Sequence, residues 1–144
     1  MRKNLLAMIL SLGIGISSLV TAQDLKDFTV KREYKDFGIG IYYMETEYRF
    51  KIGNDKITYI EEPYYWKNLV SYRLFLEIEK PDGKKTMFFD DRMDGSVEKI
   101  RIIKGTSDEV YPKGPFDELI MKEGQKMYED IIKKIQKERL KSVF

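Results

Sequence analysis

Residues 47–60 read Glu47-Tyr48-Arg49-Phe50-Lys51-Ile52-Gly53-Asn54-Asp55-Lys56-Ile57-Thr58-Tyr59-Ile60. Tyr48, Phe50 and Ile52 alternate with Glu47, Arg49 and Lys51. Successive strand residues point to opposite faces, so this alternation predicts a half-buried strand. Gly53-Asn54-Asp55 supplies turn residues, two of which tolerate positive φ. The chain then returns through Lys56-Ile57-Thr58-Tyr59-Ile60, which closes a β-hairpin and makes the protein a sheet protein.

The same period extends outward in both directions. Upstream, Phe28, Val30 and Tyr34 share one face, Asp36-Phe37-Gly38 breaks the run, and residues 39–52 form the next strand. Downstream, Pro63 cannot donate to a ladder, so Glu61 to Asn68 is expected to be a loop or strand edge. Residues 69–80 alternate again: Tyr72, Leu74, Leu76 and Ile78 point one way, Arg73, Phe75, Glu77 and Glu79 the other. Pro81-Asp82-Gly83 is a turn, in which Pro fixes φ and Gly accepts φ > 0. Lys85 to Asp90 and Val97 to Ile103 read as two further strands, and residues 104–114 as loop.

At Pro115 the period changes. Phe116, Ile120, Met127, Ile131 and Ile135 form a helical stripe, with Gly124 on the same side. Pro115 suits the first helical position, and acids early (Asp117, Glu118, Glu123) with bases late (Lys133, Lys134, Lys137, Arg139, Lys141) complement the helix dipole. Glu129 to Lys133 and Asp130 to Lys134 are favourable i,i+4 pairs. The expected fold is α+β: an antiparallel meander of about six strands, joined by short turns and followed by one long helix on one sheet face. It would occupy residues 23–144 as a single domain, with 23–103 mainly β, 104–114 loop and 115–142 helix.

The first 22 residues read differently. Arg2 and Lys3 precede an uncharged stretch from Leu5 to Val20, and Val20-Thr21-Ala22 places small residues before Gln23. That is the plan of a secretory signal peptide cut between Ala22 and Gln23. The expectation is a periplasmic or secreted protein; the alternative is an anchor left uncut at the N-terminus. Removing 22 of 144 residues leaves 122, and it removes two of 26 basic residues and no acid. The remainder carries 24 charges of each sign and all 19 aromatic residues.

Composition excludes more than it includes. The chain has no Cys and no His. Disulfides, thiolate or imidazole metal sites, Cys nucleophiles and Ser-His-Asp triads are therefore impossible. A neutral remainder gives no electrostatic footprint for nucleic acid, and the lysines near the helix end read as a solvated face. The domain must hold itself together through its core, and its size allows that.

Two stretches stand out as candidate sites. Pro63 is followed by Tyr64-Tyr65-Trp66. Tyr and Trp are favoured at interface hot spots, so these three residues are the candidate contact for a protein or surface-glycan partner; packing beneath the loop is the structural alternative. The second is Asp90-Asp91-Arg92-Met93-Asp94-Gly95-Ser96-Val97-Glu98. These nine residues resemble the central part of a calcium loop of the EF-hand or dockerin kind, with acids at positions 1, 5 and 9, Gly at 6 and an apolar residue at 8. The sequence departs at position 3, Arg92, and position 12, Arg101, where that family has oxygen ligands. The resemblance implies a looser calcium site from Asp90, Asp91, Asp94 and Glu98 with the Ser96 carbonyl. Asp94-Gly95 between apolar strands is equally the expected turn dipeptide. Paired carboxylates at Glu61-Glu62, Glu77 with Glu79, and Asp90-Asp91 are the only material for a hydrolase, and no nucleophile motif accompanies them.

The expectation is therefore a non-enzymatic exported binding domain. A calcium-stabilised structural module is the alternative, and a small carboxylate hydrolase a distant third.

Overall fold

The computed structural model describes residues 25–36, 41–66, 69–92 and 94–143. The expected leader with its Ala22–Gln23 cleavage site lies outside the described residues. So do Phe37 and Gly38 of the upstream break. Seven strands follow in chain order: β1 (Lys26–Asp36), β2 (Ile41–Ile52), β3 (Asp55–Trp66), β4 (Leu69–Glu79), β5 (Lys85–Asp90), β6 (Lys99–Lys104) and β7 (Ser107–Tyr111). A 3-10 turn at Pro115–Asp117 leads into one helix, α1 (Glu118–Val143). The sheet order is β1-β2-β3-β4-β5-β6-β7, and every neighbouring pair is antiparallel. The α+β expectation holds, with one strand more than the sequence indicated.

The extra strand is β7, which occupies the middle of the expected 104–114 loop. Gly105, at φ 59, turns the chain, and Ile100 pairs with Tyr111, Ile102 with Glu109. Only Tyr111 of β7 is buried, so this edge strand has no apolar alternation to betray it.

Pro63 also departs from expectation, since β3 runs through it to Trp66. The β3–β4 ladder is continuous across Pro63↔Tyr72. The β2–β3 ladder instead passes from Thr46↔Glu61 directly to Tyr43↔Tyr64. The missing N–H of Pro63 thus faces β2, where the ladder lapses. An interior strand tolerates a proline on those terms.

One face of the sheet makes the core. Tyr48, Phe50 and Ile52 of β2 pack with Ile57 and Tyr59 of β3, and with Leu74, Leu76 and Ile78 of β4. Phe88 and Ile100 continue the row, and α1 covers it with Ile120, Met127, Tyr128, Ile131 and Ile135. Phe116, expected in that stripe, is 82% exposed, because it sits in the 3-10 turn before the helix turns inward.

The helix crosses the strands. Gly124 lies against Ile100 of β6, Tyr128 reaches Asp90 at the end of β5, and Arg139 reaches Glu61 of β3 and the ring of Tyr48 in β2. From residue 124 to 139 a helix advances about 22 Å. Crossing from β6 to β2 spans four strand spacings, about 19 Å. The helix therefore ends over β2, and β1 stands beyond it. Gly124 is the point of closest approach. A Cβ there would lie far inside van der Waals contact of Ile100 Cδ1 and 3.4 Å from Phe88 Cε1.

Candidate functional site

The acidic loop is built around Asp90. As the last residue of β5 it falls in the core-facing row of the sheet and is fully buried. Its carboxylate is not left bare. The Asp94 N–H donates to Oδ1 at 3.3 Å, the Gly95 N–H to Oδ2 at 2.9 Å, and the Tyr128 hydroxyl to Oδ2 at 3.4 Å. Gly95 stands at φ +88, the left-handed region that a glycine enters without strain, and this turns its N–H back on Asp90. Burial pushes the Asp90 carboxyl above the usual carboxylate range, and the two backbone donors oppose that rise. The Tyr128 hydroxyl is likewise raised, first by burial and then by the Asp90 charge.

The rest of the loop closes on itself and on α1. The Ser96 N–H donates to Asp94 Oδ1 at 2.9 Å, and the Asp91 N–H to Glu98 Oε2 at 2.7 Å. Gln125, one turn before Glu129 on α1, clamps the loop from the helix. Its Oε1 accepts from the Val97 N–H at 2.6 Å, and its Nε2 donates to the Gly95 carbonyl at 2.6 Å and to Glu129 at 3.0 Å. Carboxylate oxygens of Asp90, Asp94 and Glu98 lie within 4.8 Å of one another. Glu98 Oε1 is shielded from solvent and accepts no hydrogen bond; the Arg92 Nε is 3.8 Å away.

The structure thus gathers three of the expected calcium ligands. Asp91 is not with them: it is exposed, and its carboxylate faces Arg73 at 3.9 Å. Among the described residues, Ser96 is held through its N–H. The donor set is all hard oxygen, which suits calcium. Three carboxylates are well short of the 6–8 oxygens that ion takes, so water would supply the remainder. Asp90 already accepts three hydrogen bonds, which leaves it fewer free lone pairs than Asp94 or Glu98.

The aromatic candidates sit elsewhere. Tyr64, Tyr65 and Trp66 close β3, in register with Tyr43, Tyr42 and Ile41 of β2 and with Ser71, Val70 and Leu69 of β4. They belong to the end of an interior strand, where the sequence indicated a loop or strand edge; their side chains lie outside the described residues. Close to them, among the described residues, the core-facing side of β1 and β2 is partly exposed. Past the row that holds Thr46, Glu61, Leu74 and Asp90, the next β1–β2 pair is Tyr34↔Met44. Tyr34 is 58% exposed and Met44 40%, and Val30, beyond the helix end, is 48%. Val30, Tyr34 and Met44 make an apolar corner on the core-facing side of β1 and β2.

The expected carboxylate pairs are distributed over both faces of the sheet. Strand alternation sends Glu61 and Glu62 to opposite faces. Glu61 accepts from both terminal nitrogens of Arg139, at 3.1 and 3.3 Å. Glu77 and Glu79 line an open depression of about 390 Å³ on the other face, beside Arg49, Lys51 and Lys56.

No protein family, curated protein or solved structure matches the chain. Among the described residues, no helix is long and apolar enough to cross a membrane.

Tyr128 and Gln125 were not among the sequence candidates. Both flank the helical stripe, and their partners lie 38 and about 30 residues away in the chain. The one available signal was a Tyr four residues after Gly124 on the buried side of an amphipathic helix.

Proposed function

We propose that this is an exported, non-enzymatic binding domain. Its contact surface is the corner formed by Val30, Tyr34 and Met44, continued on the same face by the register position of Tyr65 at the end of β3, and its partner is another protein. The carrying observation is that the core-facing side of the sheet emerges from under α1 at this corner with its apolar row still exposed. Apolar surface left open in that way marks an interaction site. Export rests on the leader-like first 22 residues.

The test is photo-cross-linking in cells producing the full chain, with the reactive side chain placed at Tyr34, Met44 or, as control, Lys99 on the opposite face. A discrete adduct of one size at Tyr34 and Met44, weakened by Val30→Ser, is the expected result. Adducts of equal yield at Lys99, or none at the corner, would refute the reading.

The convergence of Asp90, Asp94 and Glu98 favours a second reading, in which the 90–98 loop holds calcium and stiffens the seam between β5 and α1. Ligand binding to the folded state raises the melting temperature by mass action. Millimolar calcium should therefore raise it for the native chain and not for Asp94→Ala. A melting curve indifferent to calcium and to chelator removes the reading.

A further inference from the structure

We propose that β1 is a self-association edge: two copies pair antiparallel through residues 28–36, about a two-fold axis at Arg32, to join two seven-stranded sheets into one. Among the described residues β1 pairs only with β2 and forms one edge of the sheet. Such an edge invites another strand unless something blocks it. The usual blocks are shortness, a proline, a bulge or charge. The opposite edge, β7, is short at five residues and is followed by Pro112. β1 has eleven residues and no proline. Its one irregularity is at the start, where Asp27 takes φ 56 and the register slips between Lys26 and Thr29. From Thr29 to Asp36 the ladder is regular.

Only charge is left as a block, and the charges here are self-complementary in one register. If two sheets share their helix-bearing side, paired residues must point to the same face, which restricts the pairing to alternate registers. With Arg32 opposite its own copy, Lys31 stands opposite Glu33 of the second copy on the outer face, twice by symmetry. Val30 stands opposite Tyr34 of the second copy on the core-facing side, also twice. Directly opposed side chains lie about 4.5–5.5 Å apart between Cβ atoms, close enough for ion pairs and for an aromatic on a β-branched residue. Arg32 meeting Arg32 is the one unfavourable pair, and both side chains are exposed and free to splay. The neighbouring registers are worse. Moving the axis to residue 33 sets Glu33 against Glu33, and moving it to residue 31 sets Lys31 against Lys31 and Val30 against Arg32. The exposed Val30 and Tyr34 are the residues that the favoured register covers.

The pairing builds on the exposed corner described above, but it is tested separately. The chain has no Cys, so one engineered thiol reads self-association without background. Arg32→Cys, Lys31→Cys and Glu33→Cys are made singly in the full chain in an oxidising compartment, and dimers are read on non-reducing gels. Opposed residues on an antiparallel pair fall within the Cα separation that a disulfide accepts. The expected result is at least a tenfold excess of dimer at position 32 over 31 and 33. Equal yields at all three positions, or no dimer at 32, overturn the proposal. A charge-swap series keeps it falsifiable if the thiol itself promotes association. Lys31→Glu and Glu33→Lys each raise the apparent dissociation constant by about tenfold, and the double variant restores it. Failure of the double variant to restore dimer also overturns the proposal. Either failure leaves hetero-adducts at Met44 untouched, so the partner reading stands or falls on its own.

Discussion

Gly124 offers the most direct check on how α1 sits on the sheet. Replacing it by Ala adds a methyl group where Ile100 Cδ1 already lies, far inside the ~3.5–4 Å at which two carbons rest. Ile100 is fully buried, so its side chain has little room to yield. Two effects oppose. Helix propensity favours Ala over Gly by about 1 kcal/mol. Overpacking a filled core costs about 1–3 kcal/mol. Gly124→Ala should therefore destabilise by up to about 2 kcal/mol, despite being a substitution that stabilises most exposed helices. Ile100→Val removes the obstructing Cδ1 and alone costs about 0.5–1.5 kcal/mol. In the double variant the new methyl occupies the vacated space and the propensity gain survives, so stability should return to within about 0.5 kcal/mol of the native chain. The coupling energy is then about 2 kcal/mol, or about 8 °C in melting temperature for a domain of roughly 120 residues. Urea unfolding of the four proteins reads it, with equal m-values as the control for a common unfolded state. Additivity to within about 0.5 kcal/mol, or a Gly124→Ala protein about 1 kcal/mol more stable than the native chain, would refute the packing described here.

Other expectations concern the polar groups along the helix seam. The Tyr48 hydroxyl is buried and makes no hydrogen bond among the described residues. Tyr48→Phe should be neutral or stabilising by about 1 kcal/mol, whereas Tyr128→Phe, which takes a donor from buried Asp90, should cost about 1–3 kcal/mol; equal losses in urea unfolding would contradict the assignment. Because burial raises the Asp90 carboxyl, the folded state holds that proton more tightly than the unfolded chain. Lowering the pH from 7 towards the ordinary carboxylate range should then stabilise the native chain relative to Asp90→Asn, and a difference that is flat or of opposite sign would count against it. Arg139→Lys keeps the charge but loses the two-pronged bond to Glu61 and the stacking on Tyr48, so it should lower stability by about 1 kcal/mol in thermal melts; an unchanged melt would show the fork to be idle.

What the sequence discloses depends on which surface a residue faces. The β2–β3 hairpin was legible because one side of each strand is core and the other is water, so Tyr48, Phe50 and Ile52 alternate with charge. β7 was not, because an edge strand with only Tyr111 buried has no reason to alternate. Pro63 misled because a proline lacks one donor on one side only, and the β2 ladder lapses at that place. The stripe places Gly124 on the buried side but does not say what it faces, and the position of Ile100 shows close packing there. In the acidic loop, the convergence of Asp90, Asp94 and Glu98 could be anticipated from spacing within nine residues. The seat of Asp90 against Tyr128, and the Gln125 clamp, join segments that no local pattern connects.

The strictly sequential strand order has a consequence for how the chain acquires its shape. Each strand pairs with the one before it, so the whole sheet can zip up from hairpins with small loop closures. Among the described residues, the most distant links belong to α1: Tyr128 to Asp90 over 38 residues and Arg139 to Glu61 over 78. The helix is also the last described element to leave the ribosome or a translocation pore. Until it docks, the sheet presents a broad greasy plane to its surroundings, and that interval is when a holding chaperone has something to grip. A chain cut before residue 118 would stay in that condition.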